Sequence, residues 1–94
     1  MGQETVRDNP ERARFEIEID GRVVGFIDYR RAGDVLALTH AEVEPACEGR
    51  GIGSRLARGV LEDAPKNGFK VRPICPFVAE YVRRNPEFAP LVAR

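Results

Sequence analysis

Apolar and polar residues alternate with a period of two from Arg14 to Asp20. Phe15, Ile17 and Ile19 fall on one side of an extended chain and Glu16, Glu18 and Asp20 on the other, the pattern of a strand with one wet face. Asp20-Gly21 follows, a pair suited to the positive backbone dihedrals of a two-residue hairpin, so "RVVGFIDYR" is the returning strand. A second turn, "RAGD", leads into "VLALTHAEV". Simple alternation there places Val35, Ala37, Thr39, Ala41 and Val43 on one face, with Leu36, Leu38, His40 and Glu42 on the other. Both faces are largely apolar as far as His40, so this third strand is expected to be central and covered on each side.

The period changes at Gly51. Ile52, Leu56, Ala57, Val60, Leu61 and Ala64 form one stripe of a helix, opposite Arg55, Arg58, Glu62 and Asp63. Asn67-Gly68 supplies its C-cap, with Pro65 at or near its end. "FKVRPIC" reads as a fourth strand, where Pro73 marks an edge or a break in pairing. A second helix begins at Pro76 and carries Phe77, Val78, Tyr81 and Val82 on one stripe. Asn85-Pro86 ends it, and "EFAPLVAR" promises a packed tail.

The first thirteen residues offer no face to bury, so residues 1–13 are expected to be a flexible tail and 14–94 a single domain. The order β-β-β-α-β-α describes a mixed α/β (α+β) fold, a mixed four-stranded sheet with two helices. The crossover helix makes the last two strands parallel, in a right-handed unit. Phe15 to Ile19 is then an unpaired edge. Its Glu16 and Glu18 oppose edge-to-edge association, which points to a monomer or a weak dimer.

Composition narrows the partners. Fifteen basic and fifteen acidic residues cancel, so no net charge favours nucleic acid or an anionic membrane. The polar start and short apolar runs give neither a signal peptide nor a spanning segment, and a soluble, cytoplasmic protein is expected. Cys47 and Cys75 lie far apart and form no C-x-x-C pair; with His40 they make at most three soft ligands. No metal site is expected.

The chemistry concentrates in "VEPACEGRGIGSRL", residues 43–56. A strand end, a loop with alternate glycines and a helix start together present unsatisfied N–H groups and the positive end of a helix dipole to an anion. Phosphate is the obvious candidate. Side-chain-free positions at Gly49, Gly51 and Gly53 allow a sharp turn, close approach of a ligand and tight helix packing, and Arg50 adds a charge-assisted contact. The dinucleotide fingerprint fails, because Ser54 stands sixth from Gly49 and no acidic residue lies about twenty places on. The nucleotide-triphosphate loop fails too, for want of Lys-Ser or Lys-Thr after the glycines.

The stretch resembles motif A of the GNAT superfamily of N-acetyltransferases, a Gln/Arg-x-x-Gly-x-Gly/Ala loop between a strand and a helix. Val43 with Pro45, then Gly51-Ile52-Gly53 and Leu56, carry the match, and "CPF" and "NPEF" extend it. It covers about Arg14 to Phe88 and suits a short, stand-alone subgroup lacking the first strand and helices of full-length members. One position departs: Glu48 occupies the Gln/Arg place, and its carboxylate repels a pyrophosphate unless turned away or paired with Arg50 or Arg55.

The resemblance implies acetyl-coenzyme A as acyl donor, with its pyrophosphate on the loop Glu48, Gly49, Arg50, Gly51, Ile52, Gly53 and Ser54. It also implies that the pantetheine arm bonds the backbone of Val43, where the two parallel strands part. The acceptor is an amine, small or on a protein, that the residues do not identify. Acetyl transfer needs a base, an oxyanion donor and an acid for the leaving thiolate. His40 and Glu42 share a strand face near that point, and either is placed to be the base; His has the more suitable intrinsic pKa. Cys75, ahead of a helix start, is a candidate nucleophile for an acetyl-cysteine route. Tyr81 is a candidate acid, although its place on the apolar stripe also suits core packing. A non-catalytic acyl-coenzyme A binder or sensor is the alternative.

Overall fold

The computed structural model describes residues 3–93. Five strands form one mixed sheet in the order β1-β2-β3-β4-β5: β1 Glu4–Asn9, β2 Arg14–Ile19, β3 Arg22–Ala32, β4 Val35–Val43 and β5 Lys70–Pro73. The first four pair antiparallel, whereas β4 and β5 run parallel around the crossover helix α1, Ile52–Lys66. Helix α2, Pro76–Arg84, follows β5, and a 3-10 helix, Pro86–Leu91, precedes a bridge from Val92 to Val71. Asp20 (φ 53°) and Gly21 (φ 84°) adopt the left-handed pair expected of the hairpin turn.

The sheet corrects one expectation outright. Residues 4–9 are not a flexible tail but a fifth strand, and β1 rather than β2 is the edge. The four-stranded sheet with an open edge at Phe15 to Ile19 is therefore replaced by five strands. "ETVRDN" has Val6 as its one apolar residue, too little to show in a periodicity. What captures β1 lies 53 positions away: at Gly59 of α1, an added Cβ would stand 2.8 Å from Val6 Cβ. A bare helix backbone there lets the strand lie against the helix.

A second correction concerns β4. Leu38 pairs with Tyr29 while His40 pairs with Asp28, so Thr39 is a bulge with no partner of its own. Alternation flips across it. Leu36 and Leu38 before the bulge, and Ala41 and Val43 after it, face the helices, while His40 and Glu42 emerge on the opposite face. The core lies between the sheet and the two helices: Phe15, Ile17, Ile27, Leu36, Leu38 and Val71 meet Ile52, Leu56, Val60, Leu61, Val78 and Val82. β4 is thus covered on one side only. The other face is open and carries Arg7, Arg30, His40, Glu42 and Arg72, all exposed.

Glu16 on that open face is nevertheless buried, at 6% exposure. Burial pushes its carboxyl up, but hydrogen bonds from Arg14 Nε (2.8 Å) and Asn9 Nδ2 (3.2 Å), with the charge of Arg14, outweigh it, and the group lies below the usual carboxylate range. At the far end of the sheet Tyr29 donates to Asp8 Oδ1 at 2.7 Å. Burial, then that bond, push its phenol up to about 12.

Candidate functional site

The site begins where β4 loses a neighbour. Pairing with β5 covers Val35 to Leu38 and ends at Leu38↔Pro73. Pairing with β3 continues to Val43. The last tie across the parting strands is the Cys75 amide, which donates to the Leu38 carbonyl at 2.8 Å. Beyond it β4 has a partner on one side only. The Glu44 amide points to β3, bonding Val24 O at 2.8 Å, and successive peptides alternate sides along a strand, so the Ala41 and Val43 amides face the gap.

A short 3-10 turn, Pro45–Cys47, carries the chain from β4 to the glycine loop. Gly49 (φ 85°) and Gly51 (φ 73°) are both left-handed, a conformation costly for other residues. Gly53 is constrained differently: an added Cβ would come within 3.0 Å of Phe77 Cζ. Gly51 caps α1 with no side-chain hydrogen bond, and the first intrahelical bond runs from Arg55 N to Gly51 O at 3.1 Å. Among the described residues the amides of Ile52, Gly53 and Ser54 thus have no protein partner. Three free donors at the positive end of a fifteen-residue helix suit an anion.

Loop and gap open into one cleft of about 330 Å³. Ala41 and Val43 line it from β4, Gly49, Gly51, Gly53 and Ser54 from the loop and helix, with Cys47 and Phe77 on the walls. The glycines leave room for a diphosphate against the backbone, and the unpaired edge of β4 offers peptide donors and acceptors to an amide-bearing arm. The donor set therefore fits coenzyme A. Glu48 is exposed on the cleft wall and, among the described residues, pairs with no cation. Arg55 is engaged elsewhere: its Nε and Nη2 hold Glu4 of β1 at 2.8 and 2.7 Å, and its Nη1 donates to the Arg50 carbonyl at 3.0 Å.

The four candidate reactive side chains are not brought together. His40 and Glu42 are, with His40 Nε2 2.7 Å from Glu42 Oε2, both more than half exposed on the open face of the sheet. Phe26 lies beside them, its ring centroid 6.2 Å from the imidazole. Cys75 is a free, buried thiol in the core, at 5% exposure, capping α2 at the point where the strands part. Tyr81 stands outside the cleft, its ring 6.2 Å from that of Phe88 and beneath the Arg58 guanidinium. Among the described residues no group of three or more His, Cys, Asp or Glu could hold a metal ion.

Sequence reasoning missed the part played by Glu4, Cys47 and Phe77. Phe77 had a signal, since it stands two residues after Cys75 on the helix that opens beside the gap. Glu4 had none, because its strand was not legible.

The protein-family comparison matches residues 14–91 to the model described as GCN5-related N-acetyl-transferase. Protein NATD1 of Mus musculus and of Gallus gallus are each 30% identical over 84 residues, spanning 86% of this chain and 76% of theirs. NATD1 of Homo sapiens is 30% identical over the same length, with 74% of its own chain covered. The fold is similar to the NMR solution structure of a GCN5-like putative N-acetyltransferase from Staphylococcus aureus, with a TM-score of 0.70 and 20% identity over 95% of this chain and 87% of that one.

Proposed function

This chain belongs to the GCN5-related N-acetyltransferase family, and from that premise we propose that it binds acetyl-coenzyme A and transfers the acetyl group to an amine. The observation that carries the reading is the continuity of three free helix-start amides with the unpaired edge of β4 in one cleft. Ile52, Gly53 and Ser54 would hold the diphosphate by their N–H groups, with Arg50 free to add charge. Val43 and Ala41 would bond the arm through their peptides. Glu48 contributes its backbone alone.

When bound, acetyl-coenzyme A supplies a thioester carbonyl at which an amine nitrogen forms a C–N bond as the C–S bond breaks. The amine must first be neutral, and the His40–Glu42 pair suits that proton transfer. The imidazole takes the ammonium proton while the carboxylate 2.7 Å away stabilises the imidazolium. Their exposure lets the proton pass to water. The cleft is also open, so water protonates the departing thiolate without Tyr81. No helix among the described residues is long and apolar enough to cross a membrane, and the acceptor reaches His40 across the uncovered face of the sheet.

One observation favours a second route. Cys75 is the N-cap residue of α2 at the apex of the gap, beside the edge of β4 along which the arm would lie. Its sulfur would take the acetyl group by thioester exchange and pass it to the amine.

Thermal unfolding with coenzyme A, acetyl-coenzyme A, NAD and ATP tests the binding. A selective ligand at a hundred times its Kd adds about 2.7 kcal/mol. Stabilisation by both coenzymes but not by NAD or ATP is expected, together with thiol release when an amine panel is added. Equal response to all four ligands, or none to coenzyme A, would refute the reading. Binding without thiol release would leave a non-catalytic acyl-coenzyme A sensor.

A further inference from the structure

The ion pair between Glu4 of β1 and Arg55 of α1 bears on how the glycine loop presents its donors. Arg55 makes a forked contact with the Glu4 carboxylate, Nε at 2.8 and 3.0 Å from the two oxygens and Nη2 at 2.7 Å from Oε2, and extends Nη1 to the Arg50 carbonyl at 3.0 Å. The same Nη1 lies 3.3 Å from where a Gly51 Cβ would stand. A peptide is planar and trans, so its C=O and N–H point in opposite directions. Pinning the Arg50 carbonyl to Arg55 therefore turns the Gly51 N–H away from Arg55. Gly51 lines the cleft and sits at φ 73°, where glycine freedom would otherwise allow the peptide to rotate.

We infer that Arg55, clamped by Glu4, is a positioning residue that locks the Arg50–Gly51 peptide with its N–H directed into the cleft for the anion. Glu4 also keeps the guanidinium out of the cleft, so that anion binding there falls to peptide donors and Arg50. A planar fork suits this role, since two nitrogens on the carboxylate leave the third aimed at the carbonyl. β1 thereby acts as part of the loop's support. The inference rests on the coenzyme reading for the nature of the anion, but not for the orientation of the peptide.

The experiment uses the full chain with Glu4→Gln, Arg55→Lys and, as a control, Arg7→Gln, which breaks the other β1 ion pair, to Glu18 on the open face. The Gly51 amide resonance is followed by NMR in ligand-free protein, and coenzyme A affinity by calorimetry. Glu4→Gln and Arg55→Lys are each expected to move the Gly51 amide and to raise Kd roughly tenfold, the equivalent of one charge-assisted hydrogen bond, while Arg7→Gln does neither. An unmoved Gly51 amide in both variants overturns the inference. So does a moved amide with unchanged Kd, or an equal effect from Arg7→Gln, which would reduce it to general loosening of β1. Should wild-type protein bind no coenzyme A, the proposed function falls, and the ligand-free amide alone decides the positioning role.

Discussion

The Cys75 amide donates to the Leu38 carbonyl at 2.8 Å, and from the next residue onward β4 has no strand beside it on the β5 side, while β3 stays paired with it to Val43. This one bond sets the apex of the gap. Thr39 bulges directly after it, so the same short stretch both opens the strand edge and turns His40 and Glu42 onto the uncovered face. Free strand-edge peptides and the candidate His40–Glu42 pair thus come from adjacent residues on different sides of one strand.

The edge of β4 should respond to ligand as a strand responds to a new neighbour. Adding coenzyme A is expected to slow hydrogen exchange at the Ala41 and Val43 amides, while Glu44, already bonded to Val24, changes little. Unchanged exchange at both positions alongside measurable binding would place the arm elsewhere.

Removing the proposed base should cost rate rather than affinity. His40→Ala is expected to lower kcat by about 10²- to 10⁴-fold, the usual contribution of a general base, with coenzyme A affinity retained because His40 lies outside the cleft lining. Glu42→Gln keeps the hydrogen-bonding shape and loses the charge, so a smaller drop is expected. Steady-state rates with a responsive amine check both, and full activity in His40→Ala would exclude the dyad.

Intact mass spectrometry after incubation with acetyl-coenzyme A separates the two chemical routes. Direct transfer leaves the protein mass unchanged and Cys75→Ala active. The acetyl-cysteine route adds one acetyl group that Cys75→Ala abolishes along with turnover.

Much of this was legible in the chain. The Asp20-Gly21 turn, the stripe from Ile52 to Ala64 and the alternate glycines each follow from local patterns, and the structure places a hairpin, a helix and a left-handed loop there. Two features were not legible, for physical reasons. β1 has one apolar residue, and its place depends on the missing side chain at Gly59, a long-range packing fact. The Thr39 bulge leaves the run from Val35 to Val43 unbroken in sequence, yet it moves His40 and Glu42 to the face opposite Leu36 and Leu38. The loop was therefore readable residue by residue, while the orientation of the candidate base was not.

Acid should weaken the fold through Glu16. Its folded pKa lies below the unfolded carboxylate value, because bonds from Arg14 and Asn9 overcome burial. A depressed acid stabilises the fold above its unfolded pKa, and that contribution disappears as pH falls through the folded value. Wild-type stability is expected to decline below about pH 4.5, and Glu16→Gln to be less stable at neutral pH with a shallower acid slope. Parallel slopes in denaturant titrations from pH 7 to pH 3 would show that Glu16 does not carry the effect.

The contact between α1 and β1 sets two effects of opposite sign against each other at Gly59. Alanine in a helix interior is favoured over glycine by about 1 kcal/mol, so an unobstructed Gly59→Ala would stabilise the protein. Here the new methyl would stand 2.8 Å from Val6 Cβ and Cγ2 and 2.9 Å from Cγ1. Overpacking of that kind costs about 1–3 kcal/mol, and a β-branched Val6 held in a strand has little freedom to turn away. The clash is expected to win, lowering stability by about 1 kcal/mol. Val6→Ala in the same chain frees the space, so the double variant should recover stability beyond the sum of the single changes. Denaturant unfolding of the four proteins measures that coupling, and additive effects would mean that β1 does not rest on Gly59.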